Sequence, residues 1–179
     1  FIDNNVDEEK DAVVFVGDYF DRGVENYHVF DYIYNRLDKN NLFFLVGNHD
    51  RRIVRYLAGE DVSNTQFYRN TLKQFQNNNV TDKMLRKFCH SLITCAYFTY
   101  NNVYYIVSHA GINVPVVNIV IPDDYYIQGI GDYSDMERVC EQFEQRAKVV
   151  NNRDVIQIFG HRNNNDVPIK INDTCYNVC

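Results

Sequence analysis

Short apolar runs rich in β-branched and aromatic residues alternate along the chain with segments whose apolar positions recur every three or four residues. Ala12 to Val16, Leu42 to Val46, Tyr104 to Val107 and Val155 to Phe159 predict buried strands. Ile93 to Tyr100, then Asn101-Asn102, then Val103 to Val107, predict a hairpin with a two-residue turn. In Val24 to Leu37, the residues Val29, Phe30, Ile33, Tyr34 and Leu37 fall on one helical face. Leu85, Phe88 and Leu92 do the same after Thr81, a suitable N-cap. Ser134 with Glu137 is a capping-box pattern opening a helix to about Ala147. Cys175 to Cys179 reads as a further strand, and the asparagine runs 77–79 and 163–165 as surface loops. With no repeat and no Gly-, Pro- or Ser-rich linker, the pattern predicts one α/β domain over residues 1–179.

Size agrees, since 179 residues at 45% hydrophobic suffice for one core and not comfortably for two. No stretch approaches a membrane span and no secretion signal is visible, so a soluble, intracellular, cytoplasmic protein without a membrane partner is expected. The net charge of -6 argues against a nucleic-acid coat protein but not against anionic substrates, because a bound divalent cation inverts the local field. Five cysteines form no CxxC pair and read as buried free thiols in a reducing compartment. The tyrosines offer no stacking stripe suited to bases.

All four predicted strands end in a polar cluster. The clusters are Gly17-Asp18-Tyr19-Phe20-Asp21-Arg22-Gly23, Gly47-Asn48-His49-Asp50, Ser108-His109-Ala110-Gly111 and Gly160-His161-Arg162. In open α/β sheets the carboxyl ends of strands gather functional loops. Asp18, Asn48, His109 and His161 offer two oxygens and two imidazole nitrogens, a set that suits manganese, iron or zinc better than calcium or magnesium alone. Two cations ~3.5–4 Å apart need a bridging carboxylate, and Asp18 is the candidate. Asp21 can orient His49 as a general acid, and Arg22 is a fixed cationic fork for phosphoryl oxygens. Together these residues describe hydrolysis of a phosphate ester. Arg51 and Arg52 read as solvated charges on a helix face, and His28 and His90 as ordinary helix residues.

GDYFDRG, GNHD, SHAG and GHR, in this order, resemble the calcineurin-like metallophosphoesterases, in particular the branch containing the serine/threonine protein phosphatases. The likeness runs from about Val13 to about Thr174. It implies an α-β-β-α sandwich of two mixed sheets with the metal site at the carboxyl ends of the strands. It also implies two divalent metal ions, manganese first, with iron, zinc or magnesium as alternatives. Asp18 would bridge, Asn48, His109 and His161 would bind the second ion, and His49 paired to Asp21 would be the acid. Arg22, Asn48, His49 and Arg162 would contact phosphate. The reaction implied is attack of metal-bound hydroxide on a phosphomonoester.

The family's opening GDxHG motif is missing, which predicts either a chain trimmed at both ends or a metal-poor pseudophosphatase that binds phosphorylated partners. GHR and the segment Gln128 to Tyr133 lean toward bacterial and phage-type enzymes. Alternative substrates are therefore phosphorylated or 2′,3′-cyclic nucleic-acid ends and dinucleoside polyphosphates, beside phosphoprotein and small phosphoesters. Substrate choice is expected to lie in the loops Ala58 to Asn70 and Val114 to Gly131.

Overall fold

The structure, a computed structural model, describes residues 5–7, 9–115, 121–132, 135–150, 154–161 and 167–178. Its contacts divide the chain into two compact units, Phe1–Ile93 and Thr94–Cys179.

In the first unit, β1 (Val13–Phe15) pairs in parallel with β2 (Leu42–Phe44), Val13 opposite Leu42 and Phe15 opposite Phe44. The connection runs through α1 (Asn26–Tyr34), as a parallel pair requires a crossover. Leu45 extends the ladder by bridging to Ile93. After it come α2 (Arg51–Leu57), a π-helical turn (Phe67–Leu72) running into α3 (Lys73–Asn77), and α4 (Asp82–Ser91). Thr81 caps α4 as expected, its side chain accepting from the Met84 N–H. Phe20, Phe30, Phe67, Phe75 and Phe88 are fully buried together with Ile33 and Ile53. Their rings meet edge-on or tilted, Phe20 against Phe75 at 5.4 Å and Phe30 against Phe88 at 5.6 Å, an arrangement aromatic quadrupoles favour. This core lies directly beneath the loop that follows β1.

In the second unit, β3 (Cys95–Tyr100), β4 (Val103–Ser108), β5 (Val155–Phe159), β6 (Ile169–Asn172) and β7 (Cys175–Asn177) form a mixed sheet of order β3-β4-β5-β7-β6. Pairs β4-β5 and β5-β7 are parallel; the outer pairs are antiparallel. Asn101 and Asn102 close the β3-β4 hairpin with φ of 48° and 63°, the positive values a type I′ turn demands. Two helices complete the unit, α5 (Asp123–Gln128) and α6 (Met136–Val150), the latter burying Val139, Cys140, Phe143 and Ala147. Alternation along β5 buries Val155, Gln157 and Phe159 and leaves Ile156 and Ile158 half-buried.

The expected strands and the three expected helices are all present, with ends moved by a few residues. Ser134, and with it the capping-box reading, lies outside the described residues, as do Asn163 to Asn165 and Cys179. No helix among the described residues is long and apolar enough to cross a membrane.

Candidate active site

In the first unit the loops after β1 and β2 are bound to each other through Asp50. Its carboxylate accepts the N–H groups of Gly47 (2.8 Å), Asp18 (2.9 Å) and Tyr19 (3.0 Å). Burial pushes this carboxyl up to about 7, while those three N–H donors pull against the shift. Asp18 in turn accepts the His49 N–H at 2.9 Å, so its carboxylate lies against the backbone next to Asn48. The approach is close enough that only glycine fits at 47. A Cβ there would stand 2.3 Å from both the nitrogen and Oδ1 of Asp18.

Three of the non-glycine residues with positive φ are Asp18 (60°), Asp21 (82°) and His161 (66°). Among the described residues the others are Asn79, Asn101 and Asn102; asparagine, aspartate and histidine all take this conformation more readily than most residues. Non-glycine residues in this region persist where surrounding bonds hold them, and they concentrate at functional positions.

Asp21 is the centre of the second constellation. Its Oδ2 lies 2.9 Å from Nδ1 of His49, which makes Nδ1 the protonated nitrogen and leaves Nε2 to face outward from the pair. Thr71 donates to Oδ1 at 2.6 Å, and Arg52 donates to Oδ2. Asn26 accepts the Asp21 N–H at 2.8 Å and Asn70 donates to its carbonyl at 3.0 Å. The π-helical turn presents Asn70 and Thr71 in succession to one residue, forty-nine and fifty positions earlier. Burial would raise the Asp21 carboxyl, but the hydrogen bonds from His49, Thr71 and Arg52 outweigh it and hold the group below its ordinary value. Both Asp21 and His49 are buried.

Arg52 corrects the sequence reading. Its side chain is only 25% exposed, and Nη1, donating to Asp21 Oδ2, stands 3.0 Å from Nδ1 of His49, which donates to the same oxygen. It is not a solvated helix-face charge. His28 and His90 are exposed on α1 and α4 as read, and Arg22 stands exposed in the turn after Asp21.

In the second unit the loops after β4 and β5 bring His109 and His161 together, Nε2 of the first 3.1 Å from Nδ1 of the second. The Gly160 N–H binds the His109 carbonyl at 2.9 Å. Beyond His109 the chain is clamped by Gln157. Its side-chain amide accepts from the Ile112 N–H and donates to the Ile112 carbonyl, both at 3.0 Å. Ser108 donates to the Ala110 carbonyl at 2.7 Å, and the Ala110 N–H reaches the Tyr126 carbonyl at 2.7 Å. Arg162, expected at the phosphate, lies outside the described residues.

Asp50, Thr71, Arg52 and Gln157 were not singled out for these contacts by sequence reasoning, yet each left a trace, Asp50 as the last residue of the polar cluster Gly47-Asn48-His49-Asp50. Gln157 is polar at a buried alternate position of β5. Thr71 interrupts the stripe Phe67, Thr71, Phe75 at four-residue spacing. Arg52 stands three residues from His49, one helical turn away.

The donor set bears on a metal directly. In the second unit two imidazole nitrogens facing each other at 3.1 Å, and in the first a carboxylate at positive φ with a neighbouring amide oxygen, are each ligands of the kind that borderline divalent cations accept. The residues present fit such a group.

Comparison with known proteins agrees. A family model described as calcineurin-like phosphoesterase matches residues 1–177. The chain belongs to the calcineurin-like phosphoesterase family. Two curated relatives are similar to it, both named bis(5′-nucleosyl)-tetraphosphatase PrpE (asymmetrical). The one from Oceanobacillus iheyensis is 30% identical over 107 residues, 56% of this chain and 41% of the relative. The one from a Geobacillus species is 27% identical over 101 residues, 55% and 41%. The matched regions thus span less than half the length of these relatives. Among solved structures, a protein serine/threonine phosphatase from Saccharomyces cerevisiae, described as similar to human phosphatase PP5, superposes with a TM-score of 0.51. It is 18% identical, with 93% of this chain and 57% of that chain covered. The likeness shows a shared metallophosphoesterase fold.

Proposed function

We propose that the protein is a metal-dependent phosphoester hydrolase in which Asp18, Asn48, His109 and His161 hold divalent cations, two of them, with manganese the first candidate. When bound, the cations supply positive charge at the phosphoryl oxygens and a water acidified toward neutrality. The chain's own residues do the rest. Asp50 fixes the Asp18 backbone, Gly47 leaves room for its close approach, and the His49 N–H holds the Asp18 carboxylate. Asp21 holds the His49 imidazole through Nδ1–H, and when Nε2 is also protonated the imidazolium can give that second proton to the leaving oxygen, returning to the neutral ring. Arg22, exposed beside Asp21, is free to swing onto the equatorial oxygens, with Asn48, His49 and Arg162 as further phosphate contacts.

The observation that carries this reading is the buried Asp21–His49 pair at 2.9 Å beside an Asp18 carboxylate held at positive φ. The substrate reading is serine/threonine phosphatase-like, on phosphoprotein or a small phosphoester. A second reading, cleavage of a dinucleoside polyphosphate, is favoured by the names of the two curated relatives. Phosphorylated or cyclic nucleic-acid ends are the third substrate class.

The test is a panel run on the full-length protein that carries this chain, stripped with chelator and reloaded with manganese. It comprises p-nitrophenyl phosphate, a phosphoserine peptide, an oligonucleotide 3′-phosphate, a 2′,3′-cyclic nucleotide and diadenosine tetraphosphate. Manganese-dependent release of p-nitrophenol is expected, and one natural class should exceed the others in kcat/KM. Turnover indifferent to chelator, or none on any substrate after reloading, would overturn the proposal.

A further inference from the structure

We propose that Arg52 is a positioning residue for catalysis, locking the Asp21 carboxylate and, through it, the plane of the His49 imidazole; this rests on the hydrolase reading above. Asp21 is 1% exposed and must stay ionised to hold the imidazole by Nδ1. Unlike Asp50, the Asp21 carboxylate accepts no backbone N–H among the described residues that would offset its burial, so a paired cation counts for more there, and a histidine that donates a proton cannot be that cation throughout a reaction cycle. Arginine can, because its guanidinium never deprotonates. Arg52 supplies that charge from the first turn of α2, and its Nη1 reaches Oδ2, the same oxygen that holds His49.

The geometry of sharing adds a second effect. With Thr71 on Oδ1 at 2.6 Å and Arg52 on Oδ2, the carboxylate is pinned at both oxygens and cannot rotate away from the ring. Arg52 itself is fixed by position, since α2 begins two residues after His49. Remove the guanidinium, and Oδ2 keeps only the imidazole, whose orientation then follows thermal motion of a singly anchored carboxylate. Misplacing a proton donor by a fraction of an ångström is costly in rate and leaves ground-state binding nearly intact.

The prediction separates this role from a structural or phosphate-binding one. Phenyl phosphate expels a basic oxygen that needs a proton, whereas p-nitrophenyl phosphate expels a stable phenolate that hardly does. In the manganese-loaded full-length protein, Arg52→Gln should lower kcat on phenyl phosphate about tenfold more than on p-nitrophenyl phosphate, with KM within about twofold. Arg52→Lys should recover most of the difference, since it restores the charge on Oδ2. His49→Ala, run in parallel, should show the same bias more strongly. If His49→Ala slows both substrates equally, the acid reading of the site fails. If His49→Ala shows the bias and Arg52→Gln does not, or Arg52→Gln changes only KM, the role of Arg52 is overturned alone.

A readout independent of turnover is the His49 Nδ1 proton in NMR spectra of the metal-free protein. It should be visible in the parent and in Arg52→Lys, and lost to solvent exchange in Arg52→Gln. Its persistence in Arg52→Gln, or its absence from the parent, would overturn the proposal without reference to activity.

Discussion

Asp18→Asn should reduce kcat on p-nitrophenyl phosphate by about 10³-fold or more, while the folded protein survives. The substitution is isosteric and keeps an oxygen for the His49 N–H that Asp18 accepts at 2.9 Å. Asparagine also tolerates the φ of 60° at this position better than most residues, so the backbone has no new reason to move. What disappears is the negative charge that would hold the proposed cations. A bound cation contributes several kcal/mol of charge stabilisation in the transition state, and each 1.4 kcal/mol is about tenfold in rate. Steady-state kinetics with a melting curve for each variant would check this. A thermally normal Asp18→Asn protein with unchanged kcat would remove Asp18 from the chemistry.

Asp50→Ala should instead act on the fold, costing about 3–5 kcal/mol of stability. Three backbone N–H groups converge on this one carboxylate, two of them from the loop after β1 and one from the loop after β2. At 1% exposure the methyl group of alanine admits little water to replace it. Each orphaned buried donor costs roughly 1–3 kcal/mol. Asp50→Asn retains an oxygen for the two donors on Oδ2 and loses a good acceptor for Tyr19, so about half the loss is expected. Urea unfolding, followed separately by tyrosine fluorescence and by circular dichroism because the chain has two compact units, would measure both. Equal stability of Asp50→Ala and the parent would contradict the clamp.

Much of the unit structure was legible because strand and chemistry reinforce each other in the sequence. Val155 to Phe159 is observed with the bounds its apolar run predicts, and Asn101-Asn102 gave the hairpin turn its conformation as well as its place. The polar clusters after β1, β2, β4 and β5 were visible because glycine, histidine and aspartate follow β-branched runs at once. Less legible were elements whose order is dictated from elsewhere in the chain. The sequence Arg51-Arg52-Ile53-Val54-Arg55-Tyr56-Leu57 carries three arginines in seven positions and reads as surface. It is a helix whose second residue pays its charge into a buried carboxylate thirty-one positions earlier. The π-helical turn at Phe67–Leu72 begins within Ala58 to Asn70, which read as a loop, and its side chains serve Asp21, far away in sequence. Long-range hydrogen bonds of this kind leave only single polar residues at apolar positions as a trace.

The central claim is that side chains from four strand ends hold divalent metal for phosphoester hydrolysis. Crystals of the full-length protein soaked in manganese and measured at the manganese absorption edge test it most directly. The account predicts an anomalous peak ligated by Asp18, His109 and His161, with Asn48 alongside. No peak at saturating manganese, or a peak at other residues with these four side chains apart, would contradict it.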